Sequence, residues 1–175
     1  MLINKTTKGE NLMANQEYTS ANTSLKQIPA LHKKMWKLMK GTNFDNGAGK
    51  YDLATEFLKD KGIENICYDP YNRSEQENET ALTYEGKCAT STVANVLNVI
   101  AEEEAQIEVL KLSHKMLMDG GVIFISIYQG KNNGKGCETK NGCWQNNKSV
   151  KSYLPTVWKV FPKAIYKQGI IIARK

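Results

Sequence analysis

The stretch Asn43-Phe44-Asp45-Asn46-Gly47-Ala48-Gly49-Lys50-Tyr51-Asp52 decides the fold of this chain. Its first half has the composition of a short strand, and two glycines then break the strand before a helix-forming segment begins. A second strand, Asn65-Ile66-Cys67-Tyr68-Asp69, follows at the spacing of roughly twenty residues that is usual for such a unit, and it ends in an acid. This order predicts a strand, a tight loop, a helix and a second, parallel strand.

The glycine loop and Asp69 together indicate a site for a nucleotide-like ligand. Gly47 and Gly49 allow backbone N–H groups to approach a ligand with no Cβ atom in the way. Because parallel strands end at the same edge of a sheet, we expect Asp69 at that edge, where a carboxylate accepts hydrogen bonds from ribose hydroxyls. A dinucleotide-binding loop would carry a third glycine, whereas this chain has Asp52 there, which would repel a pyrophosphate.

Strand and helix patterns alternate along the rest of the chain, which predicts a doubly wound α/β sheet. Helices are predicted over residues 29–40, 50–61, 102–118 and 148–160. Strands are predicted over residues 42–46, 64–69, 88–94 and 122–128 and within 164–174. The polar residues 72–79 show no periodicity and are predicted to form a loop. Only 18 residues separate Asp69 from Cys88, so the helix and strand expected between them are shortened or missing.

Two longer segments are predicted to lack regular structure. Residues 1–24 are polar and are predicted to be a flexible N-terminal segment, while residues 25–175 form one domain. Residues 129–146 form a long loop that carries Trp144 and Gln145, a stacking surface and an amide suited to a substrate lid. A surface loop anchored by Trp144 is the alternative. His32, on the first helix, is interpreted as a surface or packing residue.

The net charge of +6 is unevenly distributed. Residues 1–40 carry a net charge of +5, residues 41–130 carry −8 and residues 131–175 carry +9. This asymmetry favours an anionic partner, such as nucleic acid, that is approached by the two ends of the chain. A solvated lysine-rich surface is the alternative.

No apolar run approaches the length of a membrane span, and the N-terminus lacks the apolar region of a secretory signal. We therefore expect an intracellular, cytoplasmic protein without a membrane partner. Cys67 and Cys88 lie in predicted strands and are interpreted as core residues. A metal site or a disulfide formed by Cys137 and Cys143 is a minor alternative. No other metal site is predicted.

The pattern Asp45-x-Gly47-x-Gly49, followed by Asp69, resembles the class I S-adenosylmethionine-dependent methyltransferases. Three segments, residues 19–29, 69–71 and 96–100, are similar to small phage-encoded methyltransferase-like proteins or to a methyltransferase-like family associated with DNA phosphorothioation. The resemblance implies a Rossmann-like fold, S-adenosylmethionine as the cofactor and, for a phage protein, a location in the host cytoplasm.

The resemblance also implies roles for individual residues. Asp45, Gly47 and Gly49 would form and orient the cofactor loop, Asp69 would hold the ribose hydroxyls, and Tyr71 would stack on adenine. Asn95 would flank the methyl group as both a cofactor-binding and a catalytic residue, together with Ala94 and Val96. Trp144 and Gln145 of the predicted lid are the other candidate catalytic residues.

Departures from the family pattern narrow the chemistry. In many methyltransferases the fourth strand, which corresponds here to residues 88–94, starts with an acid; in this chain that position holds Ala89. Where an Asn/Asp-Pro-Pro-Tyr box would follow, the chain has Thr92-Val93-Ala94-Asn95. Methylation of exocyclic amines on bases is therefore disfavoured. No Pro-Cys nucleophile follows that strand, which disfavours cytosine C5 chemistry. The alternatives to methyl transfer are a phage-type protein that binds or cleaves the cofactor, and a nucleic-acid-binding module with a vestigial pocket.

Overall fold

The computed structural model describes residues 17–175 and contains a six-stranded sheet with the order β2-β1-β3-β4-β8-β7. The strands of this sheet are β1 (Thr42–Asn46), β2 (Glu64–Tyr68), β3 (Cys88–Ala94), β4 (Leu117–Ser126), β7 (Ile165–Lys167) and β8 (Ile170–Arg174). Strands β2, β1, β3 and β4 are parallel, β8 runs antiparallel to β4, and β7 runs antiparallel to β8. The predicted doubly wound α/β sheet is confirmed.

Five helices accompany the sheet in the described part of the chain. They are α1 (Ala30–Met35), α2 (Leu53–Lys59), α3 (Glu75–Leu82), α4 (Glu103–Met116) and α5 (Leu154–Trp158). Short 3-10 turns cover Trp36–Leu38, Leu97–Val99 and Val150–Tyr153. None of the helices within residues 17–175 has the length and apolar character that a membrane span requires.

The sheet buries apolar side chains on both faces, as a parallel sheet must. On one face, Val109 and Leu110 of α4 and Val157 of α5 pack over Ile123 and Ile125 of β4. On the other face, α1, the turn after it and α2 pack against Phe124 of β4 and Ile170 of β8 through residues that are also fully or nearly buried, namely Leu31, Met35, Met39 and Leu58. Because the helices cover both faces, the carboxyl ends of the parallel strands remain as the open edge.

The segment between Asp69 and Cys88 is shortened, as predicted. Residues 69–87, all of which the structure describes, contain helix α3 and no strand, so β2 lies at the edge of the sheet. The prediction of a loop over residues 72–79 was wrong. Helix α3 begins there because Ser74 accepts a hydrogen bond from the Glu77 amide while the Glu77 carboxylate accepts one from the Ser74 amide.

Boundaries differ from the predictions at other points for local reasons. The helix predicted over 29–40 ends at Met35 and continues as a 3-10 turn, and the helix predicted over 148–160 is α5 preceded by a 3-10 turn. Helix α4 ends at Met116, and Gly120 and Gly121 lie inside β4 rather than stopping the helix. The predicted loop 129–146 contains a small hairpin of β5 (Gly136–Glu138) and β6 (Trp144–Asn146).

The cap of α3 gives a test of this fold. Ser74→Ala is expected to lower the free energy of unfolding by about 1 kcal/mol, because the Glu77 amide loses its acceptor, Ser74 Oγ. Thr80→Ala is the matched control: Thr80 lies in the same helix and its hydroxyl bonds back to the Gln76 carbonyl, so its change should stay within about 0.5 kcal/mol. Urea denaturation measures both. Equal values for the two variants would argue against the cap.

Candidate functional site

The glycine loop follows β1 at the open edge of the sheet. Gly47 and Gly49 have φ angles of +85° and +70°, which side-chain-bearing residues rarely adopt. A Cβ on Gly47 would lie 2.3 Å from Cγ2 of Val96, and one on Gly49 would lie 2.7 Å from Oγ of Ser24. Glycine is therefore required at both positions by backbone conformation and by close neighbours.

The loop is fixed by the end of β2 and the residues after it. The amides of Gly47 and Ala48 donate to the Tyr68 carbonyl at 2.8 and 3.1 Å, and the amide of Gly49 donates to Asp69 Oδ2 at 2.8 Å. Arg73 supports the loop through a hydrogen bond from Nε to the Gly49 carbonyl, at 2.8 Å. The sequence analysis did not identify Arg73, which belongs to no recognised motif.

Asp69 lies where the sequence analysis expected it, but most of its hydrogen-bonding capacity is used within the chain. Its side chain is nearly buried, and Oδ1 accepts hydrogen bonds from the amides of Tyr71 and Asn72 and from Nδ2 of Asn72 at 3.0 to 3.1 Å. Within residues 17–175, Oδ2 accepts only the Gly49 amide. A carboxylate oxygen accepts two hydrogen bonds, so Oδ2 retains one site for a hydroxyl group.

Asp45 does not line the cavity, and its predicted role, to orient the cofactor loop, stays a prediction. Its carboxylate is 2% exposed; Oδ2 lies 3.1 Å from Nε2 of His32, and Oδ1 accepts a hydrogen bond from Thr92 Oγ1 at 2.8 Å. A buried carboxylate needs such partners. His32 is fully buried and pairs with Asp45, so of the two interpretations, a surface or a packing residue, the packing residue is correct.

The contacts of the His32–Asp45 pair favour the ionised form of both side chains. Burial lowers the pKa of His32, but the charge of Asp45 and its hydrogen bond outweigh burial, so the pKa lies above its usual value. Burial likewise raises the pKa of Asp45, and His32, Thr92 and Asn65 together bring it below its usual value. The pair connects helix α1 to the end of β1.

Asn95 follows β3 at the same edge, with an exposed side chain and a φ of +60°. Its amide donates to the Ser126 carbonyl at 2.9 Å, and Ser126 Oγ donates to Asn95 Oδ1 at 3.4 Å. A left-handed conformation at a residue other than glycine is a feature that clusters at functional sites. The next residue, Val96, carries the side chain that a Cβ on Gly47 would contact.

The β5–β6 hairpin brings Trp144 and Gln145 to the site. Trp144 packs over Gly136 and its ring centre lies 5.0 Å from that of Tyr18. Gln145 Nε2 donates to the Tyr128 carbonyl, and its Oε1 accepts a hydrogen bond from Asn98 at 3.2 Å. The hairpin is therefore held by the N-terminal segment on one side and by the residues after β3 on the other.

These elements surround a cavity of about 500 Å³. Of the predicted site residues, all but Asp45 line it: Gly47, Gly49, Asp69, Tyr71, Asn95, Trp144 and Gln145. Among its described lining residues, only Lys50 and Asp69 carry a charge. A cavity of this volume is typical of a small-molecule site.

The N-terminal segment forms part of the cavity wall, which the sequence analysis missed. Ser20, Asn22, Thr23 and Ser24 line the cavity, and Ser24 Oγ accepts a hydrogen bond from the Lys50 amide at 3.4 Å. Most of the predicted flexible segment 1–24 lies outside the described residues, and its flexibility stays a prediction. The polar composition of residues 19–24 contains no signal for this placement.

Comparisons with known proteins identify the fold. No family model matches the chain, and no curated protein matches it at a significant level. Among solved structures, the chain is similar to 1,6-didemethyltoxoflavin-N1-methyltransferase of Burkholderia thailandensis, solved with bound 1,6-didemethyltoxoflavin and S-adenosylhomocysteine. The TM-score is 0.64 at 14% identity, over 84% of this chain and 79% of that one.

Two further structures give the same result. A SAM-dependent methyltransferase of Methanosarcina mazei has a TM-score of 0.57 at 14% identity, over 77% of this chain and 92% of that one. The sugar N-methyltransferase KedS8 of a Streptoalloteichus species has a TM-score of 0.57 at 9% identity, over 86% of this chain and 88% of that one. The chain therefore has the Rossmann-like fold of the class I S-adenosylmethionine-dependent methyltransferases.

The buried His32–Asp45 pair predicts a pH-dependent stability. His32→Gln is expected to lower the free energy of unfolding by about 3 kcal/mol at pH 6, because Asp45 loses its opposite charge. A histidine whose pKa is raised on folding contributes fully below its unfolded value of about 6.5 and loses that contribution as the pH rises through the folded pKa. The difference from wild type should therefore shrink towards pH 9 in urea denaturation.

His114→Gln is the matched control for this prediction. Burial, followed by the charge of Lys175, lowers the pKa of His114, so the sign of its pH dependence is opposite. Its difference from wild type should stay constant or increase between pH 6 and pH 9. A constant difference for His32→Gln over the same range would show that His32 is neutral and that the pair is not ionic.

Proposed function

We propose that this protein binds S-adenosylmethionine in the cavity beside the glycine loop and transfers its methyl group to an acceptor. The observation that carries the proposal is the convergence of the Gly47–Gly49 loop, Asp69 and Asn95 on one cavity at the carboxyl edge of the sheet. In open α/β sheets, ligands bind at this edge.

The residues present fit such a cofactor. The positions that Cβ atoms would take at Gly47 and Gly49 are filled by Val96 and Ser24, so both glycines are needed for the loop to lie this close to the other walls of the cavity. Oδ2 of Asp69 retains one acceptor site for a ribose hydroxyl, and Tyr71 lies beside it in the cavity wall with a ring that can stack on a purine. Asn95 follows β3, on the other side of β1 from Asp69, and precedes Val96. The acceptor would meet the methyl group there.

The near absence of charge in the cavity suits this chemistry. S-adenosylmethionine supplies an electrophilic methyl group on a sulfonium, and the acceptor's lone pair forms the new bond as the C–S electrons return to sulfur. The chain has only to hold the two reactants in line and exclude water, since alignment alone accounts for a large part of such a rate enhancement. Trp144 and Gln145 are placed to do so from the hairpin.

One experiment can distinguish methyl transfer from cofactor cleavage and from a vestigial pocket. The narrower resemblance to phage-encoded or phosphorothioation-associated proteins rests on segments 19–29, 69–71 and 96–100, each of which contributes residues to the cavity wall. Incubation with S-adenosylmethionine alone separates the candidates. Breakdown of the cofactor without an acceptor supports cleavage, binding without breakdown leaves methyl transfer and simple cofactor binding open, and no binding supports a vestigial pocket.

Cofactor binding should depend on the space around Gly47. Gly47→Ala is expected to weaken binding of S-adenosylhomocysteine at least about tenfold, equivalent to about 1.4 kcal/mol, because the new Cβ displaces the loop from Val96. The double variant Gly47→Ala/Val96→Ala removes the clash and should recover part of the affinity. Isothermal titration calorimetry measures both.

Gly62→Ala is the matched control. Gly62 also has a positive φ, +73°, but a Cβ there meets no atom within 4 Å and the residue does not line the cavity. Its variant carries the same kind of backbone strain and should bind S-adenosylhomocysteine like the wild type. Wild-type affinity in Gly47→Ala would place the cofactor elsewhere.

Trp144 should hold the hairpin rather than the cofactor. Trp144→Ala removes the ring that packs on Tyr18 and Gly136, so hydrogen exchange of residues 136–146 should become faster, while affinity for S-adenosylhomocysteine changes less than about threefold. Trp158→Ala, a half-exposed residue of α5, is the control and should leave exchange in the hairpin unchanged. A large loss of affinity in Trp144→Ala would instead make Trp144 a cofactor-binding residue.

A further inference from the structure

Five lysines from three parts of the chain lie on the α1 side of the sheet. We call this surface the basic face and define it by Lys33, Lys34, Lys37, Lys61 and Lys167. Helix α1 buries its apolar residues Leu31 and Met35 in the core, which leaves Lys33, Lys34 and Lys37 exposed. No acidic residue occurs between Tyr18 and Phe44, so this helix carries only positive charge.

The C-terminal strands add to the same face. Lys34 Nζ donates a hydrogen bond to the Gln168 carbonyl, which joins α1 to the turn between β7 and β8. Lys167 pairs with Ile170 across the two antiparallel strands, and paired residues project from the same side of a sheet. Because Ile170 packs in the core beneath α1, Lys167 lies on the α1 side.

Trp36 connects Lys61, the third part of the basic face, to Lys37. Lys37 Nζ lies 5.6 Å from the centre of a Trp36 ring, and Lys61 Nζ, just beyond α2, lies 5.3 Å from it. Two ammonium groups from different elements thus converge on one indole, an arrangement favoured by the ring quadrupole. The structure therefore brings together the two basic ends of the chain and the end of α2.

The lysines of the basic face lack counter-charges. Among the described residues, none of the five pairs with a carboxylate, whereas Lys111, Lys115 and Lys159 each do. Asp60 and Glu64 are the acidic residues nearest in sequence to Lys61. Unpaired like charges on one surface create a positive potential that attracts a polyanion.

We propose that the basic face binds the phosphate backbone of nucleic acid. Lysine ammonium groups neutralise phosphates without reading sequence, so the binding would be non-specific and dependent on salt. The apolar residues of α1 are committed to the core. The strongly exposed apolar side chains on this side, Leu38 and Ile165, are outnumbered by the five lysines, which disfavours insertion into a lipid surface. The proposal concerns a surface separate from the cavity and does not depend on methyl transfer.

The test uses fluorescence anisotropy of a labelled 20-base-pair DNA duplex with the full chain. At 50 mM KCl the wild type is expected to bind with a dissociation constant of roughly micromolar size, and the affinity should fall steeply by 200 mM. The variant Lys33→Gln/Lys34→Gln/Lys37→Gln/Lys167→Gln should lose at least about tenfold in affinity at 50 mM and most of the salt dependence. Circular dichroism checks that both proteins are folded.

The matched control changes four lysines on the α4 and α5 side: Lys111→Gln/Lys115→Gln/Lys151→Gln/Lys159→Gln. It alters the net charge by the same amount and should bind DNA nearly as the wild type does. An equal loss in both variants would mean that total charge, and not this face, causes binding, and would overturn the proposal. So would the absence of wild-type binding at 50 mM, or binding to phosphatidylserine-containing vesicles without binding to DNA.

Discussion

The buried carboxylate of Asp45 is the constraint on which the site depends. A carboxylate that is 2% exposed requires partners, and each partner comes from a different element: His32 from α1, Thr92 from β3 and Asn65 from β2. Satisfying one charge therefore fixes α1 against the sheet and the end of β1 between its two neighbours. The glycine loop begins at Gly47, two residues after Asp45, so this network fixes where the loop starts.

Hydrogen bonds to residues at and after the end of β2 also fix the glycine loop. Tyr68 and Asp69 at the end of β2 accept hydrogen bonds from the amides of Gly47, Ala48 and Gly49, and Arg73 binds the Gly49 carbonyl. These hydrogen bonds fix the loop from within the chain, which reduces the entropy cost of binding. Asp69 has two functions in this arrangement: it connects two loops, and it retains one acceptor position towards the cavity.

Strong local patterns in the sequence predicted most of the fold. The glycine loop, the spacing to Asp69 and the β-branched run of β4 predicted the parallel strands and the shortened segment. Helix α3 was missed because it is polar and lacks an apolar stripe, although its Ser74–Glu77 cap was readable. The β5–β6 hairpin was missed because its strands have three residues each. The Asp45–His32 pair and the wall formed by Ser24 depend on tertiary contacts, which no local spacing indicates.

The central claim is that the cavity between the glycine loop, Asp69 and Asn95 holds the cofactor. Titration of the ¹⁵N-labelled protein with S-adenosylhomocysteine, followed by ¹H–¹⁵N correlation spectra, tests it most directly. The account predicts that the amide signals of Gly47, Gly49 and Asn95 shift with increasing ligand, while those of Gly62 and Gly120 do not. Shifts confined to residues outside the cavity, or no shifts at millimolar ligand, would contradict it.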